Sequence, residues 1–402
     1  MKLNSVLIKN ILTIRYDPTE KPQLSPVTLK NFDETETDSS GLKTKTLLIN
    51  SLKNQLKNSN EPIAVSLSSG IDSTLCLSLI REIFPDRELI GICGVFENGF
   101  DESKQASKIA KKFNAKFKTV KMPSIYQTMP KLISITKKPK WNTYTHIIAK
   151  EAKKYSNTYV AGDGADEVFG GYTFRYSKFL DLCKPKSSWK TKVKNYLECH
   201  NRDWVTDQKL LFGKNISFQW NDIFNYFKPY FSNTLHPLQQ VMLADFNGKL
   251  LHDFIPTSKS ICSYYDLNGI FPFLNNSVIK FGLSLNLDEK YDEKIKKGKL
   301  ILRKITSEMN THHIDEKRGF SPELWFDWKK NGKKIFEKYI FDKDCQIIKK
   351  GLINPKWILK SFEIVESDGS IRYLTRLTSI LALEVWYRTF MSKEMNVDEK
   401  LK

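Results

Sequence analysis

The sequence predicts an α/β protein: a parallel sheet with helices on both faces, joined to a mostly helical C-terminal lobe. Three observations predict it. Short apolar, β-branched runs at Ile63–Leu67, Leu89–Val95, Phe117–Val120 and Asn157–Ala161 alternate with segments of helical spacing, as strand–helix–strand crossovers require. From Ser177 onward that alternation stops, and long aromatic-rich helical segments follow, broken at Pro185, Pro229, Pro237 and Pro256. The 402 residues are 40% hydrophobic with 8 Trp, 16 Tyr and 25 Phe, which is ample for a core in roughly two or three compact units.

Taken in order, Met1–Lys43 is weakly patterned. Leu7–Tyr16 reads as one or two strands, and Asp33–Gly41 as an acidic polar linker. A helix is expected over Thr44–Asn58, with Leu48, Leu52 and Leu56 on one face. After the strand Ile63–Leu67 comes the small-residue turn Ser68-Ser69-Gly70. Asp72 then opens a helix carrying Leu75, Cys76, Leu79, Ile80 and Ile83 at helical spacing. Beyond Leu89–Val95, a helix begins near Asp101-Glu102-Ser103, with Ala106, Ile109, Ala110 and Phe113 at i, i+3, i+4 and i+7. Phe117–Val120 is a strand, Lys131–Ile135 fits either state, and Ile147–Lys154 is helical before Asn157–Ala161.

Lys+Arg 64 against Asp+Glu 45 leaves a net charge of +19, suited to anionic ligands. The excess is dispersed in runs such as Lys104–Lys121 and Lys329–Lys334, which read as solvated faces, so nucleic acid is not the expected partner. Six cysteines show no Cys-x-x-Cys pair and six histidines no metal-ligand spacing. Reduced structural thiols, no leader and no apolar run of about 20 residues point to a cytoplasmic, non-membrane protein.

Two stretches carry chemistry. In the first, a buried strand, a tight turn at Ser68–Gly70 and a helix N-terminus bring free N–H groups together where a phosphate can sit. An ordinary strand-to-helix turn would look the same, but Asp72 beside a phosphate repels it unless a cation such as Mg²⁺ lies between. The second, Ala161–Tyr172, reads Ala-Gly-Asp-Gly-Ala-Asp-Glu-Val-Phe-Gly-Gly-Tyr. It follows a strand and so lies at the same carboxyl edge of the sheet. Asp163, Asp166 and Glu167 there form a dense negative cluster that is costly without a cation or a catalytic duty. Asp72 and Asp166, one from each loop, could share the Mg²⁺ of a triphosphate.

The first loop resembles the Ser-Gly-Gly-x-Asp-Ser pyrophosphate loop of the ATP pyrophosphatase superfamily. Gly162–Tyr172 resembles the Gly-Asp-Gly-x-Asp-Glu-x-Phe-x-Gly-Tyr signature of the synthetase domain of asparagine synthetases. Phe100–Ser103, Pro272-Phe273-Leu274, Leu302-Arg303-Lys304, Lys317-Arg318-Gly319-Phe320 and Leu377–Phe390 are similar to further elements of that family, over residues 45 to 390. The resemblance implies a PP-loop type fold with a nucleotide-binding core (44–180) and a helical lobe (181–390), preceded by an extension (1–43) and followed by a charged tail (391–402). It implies ATP and Mg²⁺ as cofactors, with Asp72 and Asp166 as metal ligands. Leu67, Ser68, Ser69, Gly70, Asp72, Ser73, Gly94, Ala161 and Gly162 would lie along the nucleotide. Lys317 would stabilise charge at the α-phosphate, and Asp163 with Tyr172 would form a Tyr–carboxylate arrangement beside the acceptor. A carboxylate, aspartate in the first instance, would be adenylated with loss of pyrophosphate and then passed to ammonia or an amine.

Departures qualify the expectation. The stretch before residue 45 is too short for the N-terminal glutaminase domain of the glutamine-using enzymes, so free ammonia, a separate glutaminase subunit or an amine substrate would supply nitrogen. Ser69 replaces a motif Gly, which is tolerable only where φ is negative. Asn268-Gly269-Ile270 and Asn275 replace charged residues near the acceptor pocket. The alternatives are a synthetase acting on a peptide, β-amino acid or other carboxylate (lactam or macrolactam type), a tRNA-modifying adenylase, and a non-catalytic ATP-binding homologue. The sequence leaves room for a homo-oligomer.

Overall fold

The computed structural model describes residues 4–184, 186–200, 204–309 and 322–402. Its centre is a five-stranded, all-parallel sheet. The elements run α1 (Ser5–Ile14), α2 (Leu42–Leu56), β1 (Ile63–Ser66), α3 (Ile71–Ile83), β2 (Leu89–Val95), α4 (Ser103–Lys112), β3 (Lys116–Lys121), α5 (Met129–Thr136), α6 (His146–Lys153), β4 (Thr158–Val160), α7 (Ala165–Phe169), α8 (Thr173–Leu182) and α9 (Trp189–Cys199). A fifth strand, β5 (Asn268–Ile270), comes much later in the chain. The strand order is β3-β2-β1-β4-β5.

Strand residues alternate between two apolar layers. Ile63 and Val65 pack into one core cluster and Ala64 into another, so both faces of the central strands are covered and β1 and β2 read as nearly continuous apolar runs. β3 is one edge, and its exposed Lys116, Lys118 and Lys121 discourage pairing with another chain. From β1 the chain steps outward to β2 and β3, then returns to place β4 on the other side of β1. This reversal is a topological switch point, where α/β sheets open a crevice at their carboxyl ends. Val65 is in register with Val160, so the loops leaving β1 and β4 lie side by side.

Three segments differ from the sequence expectation. Leu7–Tyr16 is not strand but the helix α1. Ile8, Ile11 and Leu12 make its buried face, and the Asn4 side chain caps it by accepting from Val6 N and Leu7 N at 3.0 and 3.2 Å. The β-branched isoleucines favour a strand locally, but tertiary burial and the cap prevail. Asp33–Gly41 is no free linker. Glu36 bridges to Leu285, and buried Asp38 accepts from Lys43 N and Thr44 N, capping α2. The C-terminal half also contributes to the sheet, because β5 pairs with β4. At three residues β5 is too short to show a period.

Candidate active site

The loop after β1 is tied by its own side chains. Ser73 Oγ accepts from Ser68 N at 3.0 Å and lies 2.9 Å from Ser68 Oγ, which accepts from Gly70 N at 3.1 Å. Ser69 is absent from the positive-φ residues, so the serine adopts this turn without the conformation that would demand glycine. Its N–H and hydroxyl both donate to Glu102 Oε2, at 3.0 and 2.7 Å. Leu67, Gly94 and Ala161 sit at the carboxyl ends of β1, β2 and β4. Leu67 N donates to Ile92 O, and Ala161 N to Ile270 O.

Asp72 lies in the first turn of α3 and Asp166 in the first turn of α7. Two glycines allow their approach. A Cβ on Gly162 would fall 2.7 Å from Asp72 Cβ, and one on Gly171 only 1.7 Å from Asp166 Oδ1 and 2.3 Å from Lys299 Cε. The two carboxylates meet on one ammonium: Lys299 Nζ is 2.6 Å from both Asp72 oxygens and 2.7 Å from Asp166 Oδ1. Burial alone would lower the Lys299 pKa, but Asp166 and Asp72 outweigh it and hold it above the ordinary lysine value. Lys299 has φ 55° and ψ 37°, a left-handed backbone that costs a non-glycine residue roughly 1 kcal/mol. Lys299 is thus one of the described left-handed non-glycine residues, and its side chain joins the two carboxylates.

Sequence reasoning missed Lys299. Its signal was weak, one lysine among 64 basic residues, three positions ahead of Leu302-Arg303-Lys304. Lys317, expected to stabilise charge at the α-phosphate, lies outside the described residues together with Gly319 and Phe320.

The acidic loop divides differently from expectation. Tyr172 does not pair with Asp163. Its O–H donates to Glu167 Oε1 at 2.6 Å, while Asp163 Oδ2 accepts from Ser258 Oγ at 3.1 Å. The reason is helical geometry. α7 turns Glu167 inward, where it is 1% exposed, whereas Asp163 precedes the helix and faces Ser258. Burial, then the Asp166 charge, pushes Glu167 up to about 7. Burial also pushes Asp163 up to about 6, with Asp72 and Asp166 adding to the rise and the Ser258 bond opposing it. Such values suit proton exchange near neutral pH.

The fit to Mg²⁺ rests on the donor set. Two carboxylates already converge on one cation, and hard oxygen ligands from one or two carboxylates, completed by phosphate oxygens, are the usual Mg²⁺ arrangement. No cluster of three or more His, Cys, Asp or Glu suited to a metal occurs among the described residues, so an all-protein cage is not on offer there. Nor is any described helix long and apolar enough to cross a membrane.

Comparison with known proteins agrees with this geometry. The family described as asparagine synthase matches residues 43–388. Asparagine synthetase (glutamine-hydrolyzing) 1 of Bacillus subtilis is 30% identical over 129 residues, 31% of this chain and 20% of that protein. A protein of Mycobacterium tuberculosis H37Rv named "Putative asparagine synthetase (glutamine-hydrolyzing)" is 30% identical over 125 residues, 30% of this chain and 19% of its own length. These matches span about a fifth of the relatives, but the family match covers both loops, Lys299 and the helical lobe: the chain belongs to the asparagine synthase family.

Proposed function

We propose that this protein is an ATP-dependent, amide-forming synthetase that activates a carboxylate by adenylation. The observation that carries this reading is the meeting of Asp72 and Asp166, from two separate loops, on a single cation at the carboxyl edge of the sheet. Both relatives named above are called asparagine synthetases, which makes aspartate the first candidate acceptor. The uncharged Asn268-Gly269-Ile270 and Asn275, which caps the following helix, favour a second reading in which another carboxylate takes its place.

In this reading the Ser68–Ser73 loop and the N-terminus of α3 bind the phosphates of ATP through free N–H groups. Asp72 and Asp166 would hold Mg²⁺, which when bound neutralises phosphate charge and fixes its geometry. Lys299, released from the two carboxylates, would then reach the same phosphates. The acceptor carboxylate attacks the α-phosphorus and pyrophosphate leaves. Ammonia or an amine then attacks the acyl carbon, the C–O bond to AMP breaks, and the nitrogen gives up a proton. Asp163 and the Tyr172–Glu167 pair stand at the acceptor side, where that proton is held. A carboxylate approaching a phosphate is repelled, so cations preorganised in a drier pocket contribute most. ATP–pyrophosphate exchange with a panel of carboxylates tests the reading. Exchange is expected with at least one, and absence of exchange with aspartate removes the asparagine-forming version.

A further inference from the structure

We propose that Arg175 is a positioning residue for the acceptor side of the site: anchored by Asp245 and His200, it holds its guanidinium against the ring of Tyr172 and keeps the phenol directed at Glu167. The inference rests on the reading above in one respect only, that Tyr172 faces the acceptor.

Tyr172 is the N-cap residue immediately before α8, and Arg175 follows it by three positions, its N–H donating to Tyr172 O at 2.9 Å. Arg175 is 3% exposed, and a buried guanidinium is costly unless it is paired. Its pairing comes from Asp245 and His200. Nη1 donates to Asp245 Oδ1 at 2.8 Å and to His200 Nε2 at 2.6 Å. Tyr196 O–H donates to the same Asp245 oxygen at 2.8 Å, and His200 Nδ1 lies 2.9 Å from Tyr196 O. These contacts assign His200 as the neutral ring with its proton on Nδ1. Asp245 opens a ten-residue π-helix, Asp245–Phe254, whose Asn247 side chain bonds both Val27 N and Val27 O. The anchor is therefore continuous with the segment that follows α1.

The guanidinium also lies 3.8 Å from the centre of the Tyr172 ring, within the range of a cation–π contact. Nε and Nη2 have no hydrogen-bond partner among the described residues. A buried arginine placed only to satisfy hydrogen bonds would turn that edge toward an acceptor. Arg175 leaves it unused and lies on the ring, so the ring is what it holds. Tyr176 meets the same ring edge-on at 6.5 Å, and Glu167 takes the hydroxyl at 2.6 Å. The phenol is fixed on its face, at its edge and at its oxygen.

The test compares the full chain with Arg175→Met, Arg175→Lys and His200→Ala, the last loosening the same anchor if Arg175→Met fails to fold. The first readout needs no substrate: the Cζ resonance of Tyr172 in protein labelled with 13Cζ-tyrosine, assigned with Tyr172→Phe. Arg175→Met should shift and broaden it, with Arg175→Lys intermediate because lysine keeps the charge without the planar face. The second uses L-aspartate with hydroxylamine as the amine probe. Hydroxamate formation should fall by more than about tenfold in Arg175→Met, while ATP–pyrophosphate exchange stays within about twofold. An unmoved Tyr172 resonance, or an equal fall in both activities, overturns the proposal. If the wild type shows no exchange, the synthetase reading with aspartate fails, and the Tyr172 resonance still decides whether Arg175 holds the ring.

Discussion

Replacing Lys299 by Met removes the ammonium shared by Asp72 and Asp166 while keeping a side chain of similar length beside Gly171. Both carboxylates lie within 2.7 Å of the Lys299 nitrogen, so without it their nearest oxygens face each other across no more than about 5 Å. At an effective dielectric near 20, two like charges at that distance repel by about 3 kcal/mol, within the range for breaking a buried pair by deleting one partner. The Asp72 and Asp166 side chains are 24% and 20% exposed, and solvent screening lowers the expected loss to about 2 kcal/mol. Urea denaturation at pH 7.5 should therefore show Lys299→Met destabilised by that amount without Mg²⁺. Millimolar Mg²⁺ should recover most of the loss in the variant and shift the wild type less, because in the wild type the ammonium already occupies the space between the carboxylates. A variant as stable as wild type without Mg²⁺, or an equal response of both proteins to the ion, would refute the shared-cation geometry.

Four further outcomes follow. Gly171→Ala puts a Cβ 1.7 Å from Asp166 Oδ1 and should cut pyrophosphate exchange by more than about 100-fold with far-UV circular dichroism unchanged; retained exchange would show that the carboxylate need not stay in place. Asp163 has a folded-state pKa raised to about 6 from 3.8, so charging it opposes folding, with no cost below pH 3.8 and the full cost above 6. Asp163→Asn should then be more stable than wild type at pH 8 by up to about 3 kcal/mol, and equal to it near pH 3.5, as read from denaturation at both pH values. Tyr172→Phe leaves Glu167 Oε1 without its O–H donor and should cost about 1–3 kcal/mol in the same assay; a neutral result would mean the bond is weaker than its 2.6 Å suggests. Ser69→Gly deletes only the hydroxyl bond to Glu102, and nucleotide affinity should change by less than about fivefold, measured by fluorescent-nucleotide titration.

The sheet and its two loops were legible because their signals are local. β1, β2 and β4 are short apolar or β-branched runs between helical periods, and the Ser68–Ser73 and Gly162–Tyr172 loops follow strands directly. What escaped depends on partners distant in sequence. α1 is a helix through the Asn4 cap and burial against the lobe, while its isoleucines alone favour strand. β5 exists only because β4 lends it an edge. Lys299 matters through contacts with Asp72 and Asp166, 227 positions away in the first case, and a lone lysine in a basic chain does not announce that. Tyr172 and Glu167 are close in sequence, yet their pairing required α7 to turn Glu167 inward, while Asp163, ahead of the helix, bonds Ser258.

The central claim is that Asp72 and Asp166 form one cation site serving carboxylate activation. Its most direct test is ATP–pyrophosphate exchange in Mg²⁺ buffer, run on wild type, Asp72→Asn and Asp166→Asn with a carboxylate the wild type accepts. The account predicts exchange in the wild type and a loss of more than about 1000-fold in each variant, with the fold intact. Substantial exchange in either variant would contradict it.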